Sequence, residues 1–325
     1  MNKLIQNKIL ISVVIPTYNG EKYLAETISS IKKQTFENFE VLFIDDISTD
    51  STVEVIKKNI KDDSRFKIFE RKEKAGTSVK NQQFALNLCN GDYYFYMSQD
   101  DIIDSDFFQK SIEKLEETNA DAVIPNLIYY FENKNIKECS GIYPPKGDYN
   151  TLINNKDAFK LCLNWQTHSC CLRRMDLMKN LGFDTSIISG DEVLSRIYLY
   201  YCKKITFVDT NFYYRLDNEN ALTKILKPNF LEYIIGHLRL ANFMLERDFD
   251  IQTITKWIED TLALLKTYRN RFEKEYHSFD KVQRAEIQYN FKRVRTEFFN
   301  TIIKLKKFKY IFKIYRYTRL RKAFI

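Results

Sequence analysis

The chain has 325 residues, 44% of them apolar and 29% charged, which suits one large or two modest globular domains with an ample core. The formal net charge is +8, but residues 301–325 hold nine Lys or Arg and no acid, so the rest of the chain is left with about −1. A nearly neutral body argues against a nucleic-acid-binding protein.

Strand-like and helix-like segments alternate through the first hundred residues. Short, largely apolar runs of strand type cover residues 9–16, 39–44, 66–69 and 93–97. Segments with helical spacing or helix-start residues lie between them, at residues 21–34, directly after the turn at 48–52, and at residues 78–88. This alternation predicts an α/β fold with a mostly parallel, doubly wound sheet and right-handed crossovers.

The last hundred residues have a different pattern. Beyond Pro228 there is one Gly and no Pro, and apolar residues recur at helical spacing in residues 251–272 and 287–305. We therefore expect a catalytic domain over residues 1–225 and a helical, basic region over 226–325. Residues 304–322 mix Lys and Arg with aromatic residues, which predicts peripheral contact of 301–325 with an anionic membrane surface. An oligomerisation helix and a solvated basic face are the alternatives.

Two adjacent carboxylates, Asp100 and Asp101, follow the aromatic strand run at 93–97. Ligands of α/β proteins gather at the carboxyl ends of strands, and oxygen ligands suit a hard divalent cation that holds a phosphate. The alternative is that Asp101 or Asp104 caps the next helix. The chain has no G-x-G-x-x-G motif after the first strand and no Walker loop, so a nucleotide would have to be held by acids at strand ends, a metal and loop residues.

Six short motifs stand in the order seen in family 2 glycosyltransferases. They are Val14-Ile15-Pro16-Thr17-Tyr18-Asn19, Gln34-Thr35, Ile44-Asp45-Asp46-Ile47-Ser48-Thr49-Asp50-Ser51-Thr52, Lys80-Asn81, Asn90-Gly91-Asp92-Tyr93 and Ser98-Gln99-Asp100-Asp101. Over about residues 9–225 the chain resembles a bacterial member of this family, of the surface-polysaccharide type. The resemblance implies the GT-A fold, a Rossmann-like sheet, followed here by a C-terminal helical extension.

The resemblance also implies a site for a nucleotide-sugar donor. Its residues would be Pro16, Thr17, Tyr18, Glu21, Asp45, Asp46, Lys80 and Asp100. Tyr18 would line the base pocket and Glu21 would lie near the ribose. The uracil ring would bind Asp45 or Asp46, with Asp46 preferred, and Lys80 would pair with the diphosphate. The alternative is that Tyr18 only packs, Glu21 caps a helix and Lys80 is solvated.

The metal motif departs from the common Asp-x-Asp form, because Ser98 stands where the first acid is usual. By resemblance, Asp100 keeps the role of ligand to Mn²⁺ or Mg²⁺, and Asp101 either assists or caps the following helix. The loss of one carboxylate predicts weaker metal binding, with the donor diphosphate supplying further oxygens.

The acceptor side is implied by a second set of residues. Asp191 is the expected catalytic base, with Glu192 as the alternative. Trp165 and His168 would face the acceptor sugar, or else belong to the core. Arg215, in the family's closing segment, would reach a phosphate or the acceptor.

Together these residues predict an inverting, metal-assisted glycosyltransferase. It would move a sugar from a UDP-sugar to a hydroxyl of a growing surface glycan, such as capsule, lipooligosaccharide or O-antigen, on a glycolipid carrier. The absence of C-x-x-C spacing, of a signal-peptide cleavage site and of a membrane-length apolar run predicts a cytoplasmic protein, peripheral at the inner membrane face. The alternative function is a non-catalytic sugar-nucleotide-binding or assembly module, which Ser98 alone favours.

Overall fold

The computed structural model describes residues 9–132, 134, 139–219, 221 and 224–320. Within the basic stretch at 304–322, Arg321 and Lys322 lie outside these ranges. The chain forms two compact units, one of Met1–Phe183 with Leu194–Asn218 and one of Asp184–Val193 with Glu219–Ile325. The expected boundary at residue 225 lies close to this division, but residues 184–193 group with the helical unit.

The first unit contains a single mixed sheet. Its described strands are β1 (Ile11–Thr17), β2 (Phe39–Asp45), β3 (Phe66–Glu70), β4 (Tyr93–Tyr96), β5 (Ile102–Ile103), β6 (Ala122–Tyr130), β7 (Gly141–Ile142), β8 (Leu172–Arg174) and β9 (Ile205–Arg215). Their order is β3-β2-β1-β4-β8-β6-β9-β5, with β7 on β6. The long pairings β3-β2-β1-β4 and β6-β9 are parallel. The predicted mostly parallel α/β sheet is confirmed.

Helices cover both faces of this sheet. They are α1 (Leu24–Lys32), α2 (Thr52–Ile60), α3 (Ser78–Leu86), α4 (Phe107–Thr118), α5 (Asn155–Leu163), α6 (Met175–Leu181) and α7 (Gly190–Tyr201). Alternate residues of β1 enter different cores: Val13 packs in the cluster of α1, α2 and α4, and Val14 in that of α3, α5 and α6. A strand without polar alternation is thereby buried on both faces.

Strand β6 continues past Pro125 because it pairs with β9 on both sides of this residue. Proline has no backbone N–H to give to a ladder, and the register shifts between Ile124 and Asn126. Pairing then resumes through Tyr130 opposite Arg215. The segment at 212–215 therefore belongs to the same strand as residues 205–208.

The second unit is helical, as predicted. It contains α8 (Glu232–Leu245), α9 (Ile251–Glu275), α10 (Lys281–Leu305) and α11 (Ile311–Tyr317). The predicted apolar faces of α9 and α10 are buried at Ile258, Leu265 and Phe298, whereas Ile251 at the start of α9 is exposed. Within the described ranges, no helix has both the length and the apolar character to cross a membrane.

Candidate active site

Three parallel strands end at one edge of the sheet and bring the expected donor residues there. Thr17 at the end of β1 pairs with Asp45 at the end of β2, and Val14 pairs with Tyr96 at the end of β4. The next residues along the chain are Tyr18, Asp46 and the turn that leads to Asp100. This edge is where an open α/β sheet binds ligands.

Asp45 and Asp46 are both buried, and both carboxylates accept hydrogen bonds from the chain. Asp45 accepts from the hydroxyl of Thr17 at 3.1 Å and from the backbone N–H of Ser48 at 2.9 Å. Asp46 accepts from the backbone N–H groups of Ala75 at 2.6 Å and Gly76 at 2.8 Å. Asp45 therefore shapes its own turn, and Asp46 holds the loop that precedes α3.

Tyr18 lies in a loop held by Gln99, the middle residue of the metal motif. The side-chain amide of Gln99 accepts from Tyr18 N at 2.9 Å and donates to Tyr18 O at 3.0 Å. A methyl group on Gly20 would lie 2.3 Å from the Gln99 oxygen, so glycine makes room for this amide. The Tyr18 ring is 38% exposed, and the ammonium of Lys74 lies 3.9 Å from its centroid. The ring is available for stacking on a base.

Glu21 caps the start of a helix, which was the alternative to a ribose contact. Its carboxylate accepts from the backbone N–H of Ser51 at 2.9 Å, directly before α2. In return Asp50 accepts from Glu21 N at 3.2 Å. The loop after β1 and the loop after β2 are thus joined by reciprocal hydrogen bonds.

Lys80 lies in the first turn of α3, and its side chain is exposed. The helix is capped by Thr77, whose hydroxyl accepts from Lys80 N at 3.3 Å. Because Asp46 fixes Gly76, the start of α3 is tied to the end of β2. A helix N-terminus with a lysine in its first turn attracts a phosphate group.

The two acids of the metal motif have different surroundings. Asp101 is buried, and its oxygens accept from the backbone N–H groups of Arg215 at 3.2 Å and Ser98 at 3.3 Å. Burial, with the charge of Asp100 as a second cause, raises the pKa of Asp101 to about 8. Asp100 is only partly buried and accepts from the Asn218 side-chain amide at 2.6 Å. Asp100 is therefore the more accessible of the two acids, and Asp101 bonds within its own turn and to β9.

Arg215 is enclosed, with a side chain 0% exposed. It pairs with Glu26 and Asp217, donates to the carbonyl of Asp100 at 3.0 Å, and lies 4.5 and 4.8 Å from the ring centroids of Tyr23 and Tyr130. These contacts tie β9 and α1 to the metal motif. The expected reach to a phosphate or acceptor does not match this buried position.

His168 belongs to the core, which was the alternative to an acceptor contact. Cys170 N donates to its Nδ1 at 3.2 Å, so Nε2 carries the proton and donates to the carbonyl of Pro125 at 2.9 Å. Burial lowers the pKa of His168 to about 4, so the ring is neutral near pH 7. Trp165, in contrast, is 52% exposed at a φ of 54°, with the Arg196 guanidinium 5.5 Å from its ring.

Asp191 and Glu192 open helix α7 and lie in the segment that groups with the helical unit. The Asp191 carboxylate accepts from Glu192 N at 2.9 Å. The Glu192 charge lies near Tyr268 of α9, where burial first and Glu192 second raise the pKa of that phenol to about 12. Both carboxylates are partly buried.

Two residues at the sheet edge that carries the expected donor residues, here called the donor edge, were not predicted from the sequence. Gln99 stands within the quoted metal motif, but a lone glutamine carries no local signal of its partner. Asn218, the amide donor to Asp100, comes 118 residues later in the chain. Neither the spacing nor the residue type could have indicated that contact.

Comparison with known proteins identifies the family. The model of glycosyl transferase family 2 matches residues 12–182. GlyG of Streptococcus pneumoniae serotype 4, a glycosyltransferase, is 26% identical over 222 residues, which cover 63% of this chain and 69% of GlyG. A GalNAc(5)-diNAcBac-PP-undecaprenol beta-1,3-glucosyltransferase of Campylobacter jejuni is 26% identical over 235 residues, 72% of this chain and 74% of that protein. Other curated relatives are longer, and the match spans 38% of one of them.

Solved structures support the fold. A crystal structure of S. aureus TarS in complex with UDP-GlcNAc has a TM-score of 0.64 at 17% identity, over 89% of this chain and 81% of that chain. This likeness agrees with the expected GT-A architecture. The family model covers more than half of the chain. The chain therefore belongs to the family 2 glycosyltransferases.

Proposed function

We propose that the protein transfers a sugar from a UDP-sugar to a hydroxyl of a growing bacterial surface glycan, with inversion at the anomeric carbon. One observation carries the proposal. Asp46 accepts hydrogen bonds from the loop before α3, and Gln99 exchanges two hydrogen bonds with the Tyr18 backbone, so these segments meet at one edge of the sheet. The UDP-GlcNAc complex of TarS supports a UDP-sugar donor. The name of the Campylobacter relative, with its undecaprenol diphosphate, supports a lipid-linked acceptor.

In this proposal each expected donor residue has a role. The exposed ring of Tyr18 stacks on the uracil, and a carboxylate oxygen of Asp46 or Asp45 accepts the N–H of that ring. The N-terminus of α3 and the charge of Lys80 attract the diphosphate. Glu21 holds the loop, and a ribose contact would use the oxygen that Ser51 leaves free.

The residues fit a divalent cation that is held mainly by the donor. No described group of three His, Cys, Asp or Glu residues forms a metal cage. Asp100 offers one partly buried carboxylate, and Mg²⁺ is commonly bound by one or two carboxylates with substrate phosphates. When bound, Mg²⁺ or Mn²⁺ would neutralise charge on the departing diphosphate.

The transfer itself needs a base on the acceptor side. The acceptor oxygen forms a bond to the anomeric carbon while the bond from that carbon to the diphosphate breaks, and UDP leaves with the electron pair. The acceptor proton passes to the carboxylate of Asp191, with Glu192 as the alternative. Attack from the face opposite the diphosphate inverts the configuration. The exposed ring of Trp165 offers a surface for an acceptor sugar.

A thermal-shift and transfer experiment tests the proposal. UDP-, GDP-, CMP- and dTDP-sugars are added with and without Mn²⁺ to the wild type, to Asp100→Asn and to Asp62→Asn, an exposed control. We expect one UDP-sugar to raise the melting temperature of the wild type and the control, with a smaller rise in Asp100→Asn. Stabilisation without transfer to any lipid-linked glycan would favour the non-catalytic module. Stabilisation by no nucleotide would overturn the proposal.

We also propose peripheral contact with an anionic membrane at the cytoplasmic face. Helix α11 exposes Phe312 by 80% and Tyr315 by 44%, next to the exposed cations Lys313 and Arg316. Aromatic and basic side chains together suit an anionic lipid surface. The same helices offer an alternative contact with a second copy of the chain.

Vesicle sedimentation separates these outcomes. We expect the wild type to sediment with phosphatidylglycerol vesicles but not with phosphatidylcholine vesicles, and Phe312→Ser to lose this binding. Val282→Ser removes another apolar side chain, 76% exposed, and should bind as the wild type does. If Phe312→Ser instead dissociates an oligomer without a change in lipid binding, the membrane proposal fails.

A further inference from the structure

The segment that carries the expected base is held by the helical unit. Residues 184–193 group with the helices after residue 219, although the sequence motif places them in the catalytic domain. Asp191 and Glu192 stand at the end of this segment. Contacts within the second unit therefore determine where its backbone lies.

Glu232, the first residue of α8, makes the central contact. One carboxylate oxygen accepts from the backbone N–H of Ile188 at 2.9 Å. The other accepts from Arg293 of α10 at 3.0 Å. Arg293 also donates to the carbonyl of Ser186 at 3.2 Å. One ion pair thus fixes two backbone positions that lie three and five residues before Asp191.

A second set of contacts comes from the next turns of α8. Arg239 pairs with Asp184 and donates to the hydroxyl of Ser186 at 3.0 Å. A methyl group on Gly236 would lie 2.5 Å from the hydroxyl oxygen of Ser189. A side chain at this position would displace the Ser189 hydroxyl, two residues before Asp191, and press on the Val193 methyl group at 3.2 Å. An ion pair with Arg239 therefore holds the segment at Asp184, and close packing against Gly236 holds it at Ser189.

We propose that Glu232, Arg293 and Gly236 are positioning residues, which hold residues 186–190 against α8 and α10 and so place the Asp191 carboxylate. The inference rests on the proposed function, in which Asp191 is the base. Proton abstraction depends on the geometry of the base, and a misplacement of about 1 Å can lower a rate about a hundredfold. The segment of the base and the residues that position it would then belong to the same unit.

The test uses Gly236→Ala and Glu232→Ala in the full chain. We expect kcat to fall about tenfold to a hundredfold, while the affinity for UDP, measured by calorimetry, stays within about twofold. The low-pH limb of the kcat profile should shift, because that limb reports the base in the bound state. Arg269→Lys is the matched control, because Arg269 forms a buried ion pair with Glu273 on α9 and contacts neither Glu232 nor Arg293 in the described contacts.

Hydrogen exchange gives a readout that does not need activity. In both variants we expect faster exchange of the Ile188 amide, with no change at the donor edge. Slow Ile188 exchange and wild-type kcat in both variants would overturn the inference. If kcat falls equally in Arg269→Lys, general destabilisation explains the loss and the inference also fails.

Other variants distinguish a failure of the proposed function from a failure of the positioning inference. If Asp191→Asn and Glu192→Gln both transfer sugar at the wild-type rate, neither acid is the base, and the proposed mechanism is wrong. If Asp191→Asn abolishes transfer while Gly236→Ala and Glu232→Ala leave kcat and exchange unchanged, only the positioning inference is wrong.

Discussion

The side-chain amide of Gln99 makes two hydrogen bonds to the backbone of Tyr18, one to its N–H and one to its carbonyl. Gln99, the second residue of the Ser98-Gln99-Asp100-Asp101 motif, thereby holds the loop that carries the Tyr18 ring. Two expected halves of the donor site, 81 residues apart in the chain, are joined by one side chain.

Gln99→Ala should weaken donor binding. We expect the KM for the UDP-sugar to rise about tenfold, which corresponds to about 1.4 kcal/mol and to the loss of two hydrogen bonds. Gly20→Ala should act similarly, because its methyl group displaces the Gln99 amide. Steady-state kinetics with Gln252→Ala as an exposed control measures the effect. If the double variant is much worse than either single variant, the two residues do not act through one contact.

Arg215→Lys should destabilise the first unit. The guanidinium is fully buried and bonds to Glu26, Asp217 and the Asp100 carbonyl. A lysine keeps the charge but cannot reproduce this set of hydrogen bonds, so we expect a loss of about 1–3 kcal/mol. Urea unfolding measures the loss. Arg65→Lys, which alters a more exposed pair with Asp63, should lose less than about 1 kcal/mol. If Arg215→Lys and Arg65→Lys lose the same free energy of unfolding, the buried contacts of Arg215 do not stabilise the fold as proposed.

His168→Gln should reduce the fall in the free energy of unfolding between pH 7 and pH 4, and it should leave sugar transfer unchanged. The unfolded imidazole binds a proton below its usual pKa of 6.5, whereas the folded one does so only below about 4. The folded state of the wild type therefore loses about 3 kcal/mol as the pH falls through this window, and the variant lacks this loss. The difference between the two unfolding curves from pH 7 to pH 4 measures it. If the His168→Gln variant folds but does not transfer sugar, His168 does act at the acceptor site, contrary to this prediction.

Lys80→Gln should weaken the binding of UDP but not of uridine. We expect the Kd for UDP to rise about tenfold, since a charge next to the diphosphate is lost. The difference should shrink in 1 M salt, because salt screens exposed charges. Calorimetry compares the variant with Lys72→Gln, an exposed lysine of the preceding loop. A similar loss of uridine affinity would show that Lys80 does not act on the diphosphate.

The sequence alone determined the alternation of buried strands and helices and the resemblance to the family, and it predicted that the candidate donor residues lie at the carboxyl ends of the strands. Apolar periodicity and motif spacing are local properties, and they predict elements and the carboxyl ends of strands. The same local patterns correctly predicted the helical C-terminal unit. They also marked Asp100 and Asp46 as acids directly after strands.

Only the tertiary structure decided what each candidate side chain contacts. Arg215 and His168 had residue types that suit a phosphate or a sugar, but the fold buries both. Arg215 pairs with Glu26, which lies 189 residues earlier in the chain. The segment of Asp191 likewise groups with helices that follow residue 219. Burial and distant partners arise only when the elements pack, because no local spacing specifies which side chain will fill the space beside another.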